Sequence, residues 1–345
     1  MSPVIPPARI FLAPAPRAVS DIFDQDDLAA LHNLGEVCIH EDGPVTEAIF
    51  NEKVLGSTMI IGQIDLPAER LAQLPELTAI FNVEGNFLGN IDYAYCFSHG
   101  VRVLNVSPVF AEPVAEVALG MAIDLARGIS RSDRRFRTHS EAYGLDANRD
   151  AYSLFRQKVG FIGMGDLGKA IVPLLKPFNC EVMAYDPWLP ADYLGTLGCR
   201  AATLEQVLRE SKIIFVVAGV TAQNQGFLDA GQFASMQPGA SFILVSRAGV
   251  VDFDAMLDAA ASGHIRVATD VFPVEPVPAE HRLRGIDNLL LSPHQAGAMD
   301  EALRQIGKRV VADAQLISRR IAPVMCKVAQ PESVFLLRSK PVDKS

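Results

Sequence analysis

The chain has 345 residues, of which 49% are apolar and 21% charged, and a formal net charge of −9. That length exceeds one small core and suits two domains. The acidic balance argues against a nucleic acid or an anionic membrane as partner, since both attract basic surfaces; a small anionic substrate needs only a few local arginines.

Residues 1–16 carry five prolines and no continuous apolar run, so they read as neither a signal peptide nor an anchor. Short β-branched runs at residues 9–12, 37–39, 58–61, 77–82 and 101–104 then alternate with helical patterns such as 26–34 and 67–74. That alternation predicts a parallel sheet wrapped by helices. An apolar helix over 114–129 is interrupted by Glu116, Asp124 and Arg127 and cannot span a bilayer. Residues 138–151 are polar and aperiodic, an exposed excursion. A second series of strands follows at 159–162, 181–185, 212–217, 241–245, 265–269 and 289–292, and a last helical pattern at 300–319. The chain after Pro323 reads as irregular, with a loose end over 338–345. Cys38, Cys96, Cys180, Cys199 and Cys326 are dispersed and odd in number, without ligand spacing. They predict reduced thiols, no metal site and a cytoplasmic protein.

The second series opens on Gly163-Met-Gly165-Asp-Leu-Gly168, a GxGxxG directly after an apolar strand and directly before a helix. The first glycine permits the tight turn, the second lets backbone approach a pyrophosphate, and the third lets helix lie close on strand. The helix start offers free N–H groups to phosphates, and Pro173 is expected to disturb that helix two turns in. The next strand ends in Asp186, where the motif places an acid for the adenosine ribose hydroxyls. No basic residue follows until Arg200, so a ribose phosphate would be repelled and NAD is expected over NADP.

Ligands bind at the carboxyl ends of strands in open parallel sheets. There the second series places Arg247, Asp270 and His294, with Glu275 shortly after Asp270. Together they offer a cation for a carboxylate and an imidazole with an acidic partner as proton donor, which suits hydride transfer to a carbonyl.

The blocks VGFIGMGDLGKA, VVAGVTAQNQGFL, ILVSRAGVVD, ATDVFPVEP and LLLSPHQAGA, with NVEGNFLGNIDY and EPVAEVALGMAIDLAR upstream, resemble the D-isomer-specific 2-hydroxyacid dehydrogenases. The resemblance covers roughly residues 75–325. It implies an α/β protein of two Rossmann-like domains, one flavodoxin-like and one dinucleotide-binding, with parallel sheets and a cleft between them. The substrate domain would be discontinuous, residues 1–106 plus 299–345, and the NAD-binding domain would be 107–298. It implies interconversion of a small 2-keto acid and its D-2-hydroxy acid by a homodimer. Arg247 would bind the substrate carboxylate and carbonyl, with His294 as acid/base and Glu275 as its partner; the backbone amides of Gly85, Asn86 and Phe87 would hold the carboxylate. Contacts to NAD would come from Gly163, Gly165, Asp166, Leu167, Gly168, Asp186, Ala218, Thr221, Ser246, Asp270, His294 and Gly297, with Asp270 near the nicotinamide amide. Relatives that oxidise formate pair the histidine with Gln, so Glu275 counts against that activity.

Three departures bear on the substrate. The family's Asn-x-x-Arg-Gly is here Leu244-Val-Ser-Arg247-Ala248, Phe87 replaces a second glycine, and Phe110 and Pro113 stand where small or polar residues are common. Those phenylalanines line the pocket or serve as core or dimer packing. Two alternatives stay open: a nucleotide-sensing, corepressor-like protein with little turnover, and a dehydrogenase of a phosphorylated or otherwise unusual acid. For the latter Arg131, Arg134, Arg135 and Arg137 could serve, although such a cluster is more often a solvated helix end.

Overall fold

The computed structural model describes residues 7–337. The expectations for the loose end over 338–345, and for the absence of an anchor over residues 1–6, lie outside them. The chain divides into two compact units, one running up to Phe110 and resuming at Ala298, the other spanning Ala111–Gly297. The resemblance implies junctions at 106/107 and 298/299. The turn Ser107–Phe110 belongs with the first unit because Val109 and Phe110 pack into its core.

In the first unit, strands β1 (Ala8–Ala13), β2 (Gly35–Ile39), β3 (Met59–Gly62), β4 (Ala79–Asn82) and β5 (Arg102–Asn105) pair in parallel in the order β5-β4-β3-β1-β2. Successive side chains alternate between two cores, as a sheet covered on both faces requires. Ile10, Leu12, Ile61, Phe81 and Leu104 enter one core; Phe11, Ile60, Ile80 and Val103 enter the other. The helix Asp300–Ser318 returns to this unit and inserts Ala302, Ile306, Val310, Ala314 and Ile317 into the first of those cores. Its approach is close: a Cβ on Gly307 would lie 2.2 Å from the Ile22 carbonyl oxygen. Farther along the helix, the fully buried Asp313 carboxylate accepts N–H bonds of 2.7 to 3.1 Å from Val324, Met325 and Cys326. This anchors the segment leading to Lys327–Val328, a short strand that pairs antiparallel with β5. The sequence offered only irregular chain there, because two residues are too few to display a period.

The second unit is a doubly wound parallel sheet. Strands β6 (Lys158–Ile162), β7 (Glu181–Tyr185), β8 (Arg200–Ala201), β9 (Ile213–Val216), β10 (Ala240–Leu244), β11 (Ile265–Thr269) and β12 (Leu289–Leu291) lie in the order β12-β11-β10-β9-β6-β7-β8. The order reverses between β6 and β9, the switch point where such sheets take their ligands. The unit opens with the helix Ala111–Arg127, which Gly128 ends at φ +65° before the chain re-enters a helix at Ile129–Arg137. The single helix expected over 114–129 therefore ends two residues early, at the one residue type that takes this φ without strain. The excursion over 138–151 is largely exposed, but its end is anchored. Arg131 forms a two-pronged ion pair with Asp150 at 2.9 and 3.0 Å, and Arg266 also reaches Asp150. Pro173 is accommodated in the helix Asp166–Leu175, which passes directly into a tighter turn at Lys176–Phe178. No helix among the described residues is long and apolar enough to cross a membrane.

Candidate active site

The three glycines after β6 occupy three different environments. Gly163 has φ +87°, and a Cβ there would come within 2.7 Å of Ala218 Cα, so both conformation and space demand glycine. A Cβ on Gly168 would lie 2.8 Å from Met164 Sδ and 3.4 Å from the Gly163 carbonyl oxygen, the close helix-to-strand contact. Gly165, the N-cap of the helix Asp166–Leu175, has nothing within 4 Å of its Cβ position. That open space, beside the first-turn N–H groups of Asp166, Leu167 and Gly168, fits a dinucleotide pyrophosphate.

At the end of β7, Asp186 Oδ2 accepts from the Met164 amide at 2.9 Å and Oδ1 from the Trp188 amide at 3.0 Å. The carboxylate is thereby fixed beside the glycine loop, and each oxygen keeps a lone pair for a hydroxyl donor. After β9, Thr221 is buried, its amide donating to Asn224 Oδ1 at 2.7 Å. After β10, Ser246 is buried with an unpartnered hydroxyl, and its carbonyl accepts from Arg247 Nη1 at 2.7 Å. Gly297 is the last residue of the unit.

The turn after β12 brings His294 to Glu275. His294 Nδ1 lies 2.6 Å from Glu275 Oε2, and Glu275 Oε1 accepts the Phe272 amide at 2.9 Å. The carboxylate is held at both oxygens, which orients the imidazole and leaves Nε2 for other work. His294 itself sits at φ +52°, a conformation rare for a residue with a side chain and concentrated at functional sites. Asp270 supports that turn: Oδ1 accepts from the Ser292 hydroxyl and the Gln295 amide, and Oδ2 accepts the Ala296 amide at 3.1 Å. Both oxygens of this buried carboxylate therefore face the loop that presents His294. The resemblance implies Asp270 near the nicotinamide amide and does not point to Ser292; the Ser-Pro-His turn is the available signal.

Gly85, Asn86 and Phe87 lie in the first unit, after β4. Among the described residues, their three amides make none of the backbone hydrogen bonds that close turns. The Phe87 ring leaves the loop for the core, where it meets Tyr93 edge-on at 6.3 Å, and Tyr93 Oη donates to the Leu88 carbonyl at 2.7 Å. Of the two roles open for Phe87, its ring takes core packing. Phe110 packs against the other core and lies under Gly85, 3.2 Å from the position of a Cβ there. Among the basic cluster, Arg131 is paired with Asp150 and Arg137 with Asp133 at 2.8 Å. Pro113 lies in the first turn of Ala111–Arg127.

Residues 119–296 match the domain described as "D-isomer specific 2-hydroxyacid dehydrogenase, NAD binding domain". The chain is 27% identical over 302 residues to a D-3-phosphoglycerate dehydrogenase of Mycobacterium leprae, covering 86% of this chain and 56% of that one. It is 25% identical over 287 residues to a glyoxylate reductase of Korarchaeum cryptofilum, covering 82% and 86%. The crystal structure of a phosphoglycerate oxidoreductase from Rhizobium etli superposes with a TM-score of 0.84 at 43% identity, covering 94% of this chain and 99% of that one. The chain spans about half the length of the D-3-phosphoglycerate dehydrogenases it matches.

Proposed function

This chain belongs to the D-isomer specific 2-hydroxyacid dehydrogenase family, and from that premise we propose that it interconverts a small 2-keto acid and its D-2-hydroxy acid. The observation that carries the proposal is the 2.6 Å contact between His294 Nδ1 and Glu275 Oε2, built into a turn that Asp270 holds from behind. NAD, when bound, supplies or accepts the hydride. Gly163, Gly165, Asp166, Leu167 and Gly168 would hold its pyrophosphate and Asp186 its ribose hydroxyls. Ala218, Thr221, Ser246, Asp270 and Gly297 would complete the cofactor contacts.

In the reductive direction His294 Nε2 would donate a proton to the carbonyl oxygen as charge grows there, and in the oxidative direction it would take the hydroxyl proton. Glu275 keeps the Nδ1 proton in place throughout. Arg247 would grip the substrate carboxylate and polarise the carbonyl, and the amides of Gly85, Asn86 and Phe87 would complete the carboxylate's hydrogen bonds. Such orientation can supply several kcal/mol of the roughly 7–11 available from pre-positioning.

A phosphorylated 2-hydroxy acid is a second reading, favoured by the names of the Mycobacterium leprae and Rhizobium etli relatives. We further propose a homodimer formed through the second unit, because Ile129, Phe136, Tyr143 and Leu145 all expose their side chains within one short segment. The test of the activity is an NADH-oxidation screen against glyoxylate, hydroxypyruvate, pyruvate, phenylpyruvate and a phosphorylated 2-keto acid. Turnover that His294→Ala abolishes while NADH still binds supports the proposal; no turnover on any of them overturns it.

A further inference from the structure

The substrate loop of the first unit is gripped from two sides, and one grip involves a charge pair outside the residues assigned above. Arg17, beyond the end of β1, approaches Glu84 at two points: Nη2 donates to Oε2 at 3.0 Å and Nε lies 2.9 Å from Oε1. Each side chain is only 14% exposed, so this is a partly desolvated pair, unlike the solvated pairs elsewhere on the surface. Glu84 is the residue immediately before Gly85, and its carbonyl accepts the Val106 amide at 3.2 Å. The Arg17 guanidinium also lies 6.0 Å from the Phe110 ring centroid, and that ring is the one packed under Gly85. On the opposite face of the sheet the Phe87 ring is sunk in the core. The loop is thus clamped by a charge pair at one end and an aromatic anchor at the other, with the amides of Gly85, Asn86 and Phe87 between them.

We propose that Arg17 is a positioning residue: through Glu84 and Phe110 it fixes the amides of Gly85, Asn86 and Phe87 in the geometry that receives a substrate carboxylate. The inference rests on the carboxylate-binding role proposed for that loop. It also gives Arg17 a definite electrostatic state. Its charge is taken up by Glu84, so it acts as a brace and not as a second reader of an anionic substrate group.

Two measurements on Arg17→Gln, Arg17→Lys and Glu84→Gln test this. Hydrogen exchange at the Val106 amide, which donates to the Glu84 carbonyl, needs no catalysis. In Arg17→Gln it should rise by about tenfold, the scale of losing a charge-assisted contact, and Arg17→Lys should recover part of the loss. Steady-state kinetics should show KM for the 2-keto acid rising by about tenfold in Arg17→Gln, while KM for NADH stays near wild type. Glu84→Gln should follow the same pattern, which guards against a failure of one variant to fold. Unchanged exchange overturns the brace, whatever the activity. Raised exchange with an unchanged substrate KM overturns the link to substrate. A wild-type protein inactive on every 2-keto acid, with exchange still raised in the variants, would instead strike at the activity proposed above.

Discussion

Replacing Glu275 by Gln changes almost nothing in volume and reverses the polarity of one contact. The Phe272 amide needs an acceptor at 2.9 Å, so the new side chain must turn its carbonyl oxygen there. Its NH2 group then faces His294 Nδ1, at the position where the wild type has an acceptor 2.6 Å away. Two N–H donors cannot face each other, so the ring must present a lone pair at Nδ1 and keep its proton on Nε2. A ring in that state is a weak proton donor and has no lone pair at Nε2 to accept one. Hydrogen bonds to charged groups contribute about 1.5–3 kcal/mol, and the one-third exposure of both side chains places this one near the lower end. A loss of about 1.5 kcal/mol corresponds to roughly a tenfold fall in kcat for reduction, with a larger fall for oxidation, where the base is removed outright. The assay is NADH absorbance in both directions, with NADH affinity followed through the fluorescence of Trp188, the sole tryptophan of the chain. Equal kcat values for Glu275→Gln and wild type in both directions would refute the reasoning.

Four further outcomes are expected. Asp186→Ser should weaken NADH and narrow its advantage over NADPH by at least about tenfold, the scale of losing a charge-assisted contact, read as the ratio of kcat/KM values; an unchanged ratio would remove Asp186 from cofactor choice. Gly307→Ala should destabilise by about 1–3 kcal/mol or more in urea unfolding, because the new Cβ meets the Ile22 carbonyl at 2.2 Å and backbone must move. The Arg131 guanidinium holds the Asp150 carboxyl below its ordinary range, so the pair stabilises above the unfolded carboxylate pKa and is lost as pH falls through the lower folded value. Wild type should therefore exceed Asp150→Asn by less than about 1 kcal/mol at neutral pH, the side chain being half-exposed, and the difference should vanish only below about pH 4. Phe136→Asp should shift the proposed dimer toward monomer in light scattering; an unaltered mass would exclude that segment from the proposed contact.

Most of both sheets was legible because parallel strands covered on two faces must be continuous apolar runs, and β6, β7, β9, β10 and β11 are such runs. The glycine loop and Asp186 were legible because each residue answers a local constraint: a positive φ at Gly163, a close contact at Gly168, a strand end at Asp186. What escaped is either too short or too distant. β8 and Lys327–Val328 have two residues each and no measurable period. Arg17 and Glu84 are 67 positions apart, and nothing local to either marks the other. Asp270 is recognisable as a strand-end acid, but only the folded structure shows both oxygens turned toward the His294 loop. The phenylalanines were ambiguous for a related reason: a residue type does not say which way its ring leaves the backbone.

The return of the helix Asp300–Ser318 to the first unit has a consequence for the order of folding. As the chain is synthesised, β1 to β5 emerge before the second unit, yet one face of their sheet lacks Ile306, Val310, Ala314 and Ile317 until that unit has followed. The second unit, by contrast, is continuous from Ala111 to Gly297 and holds every strand of its own sheet before that helix exists. The unit made second is therefore the one able to finish first, while the earlier sheet waits with an uncovered apolar face, the state most exposed to misassociation. Gly307 and Asp313, which let the late helix sit close and lock the chain behind it, are the residues that bring that waiting period to an end.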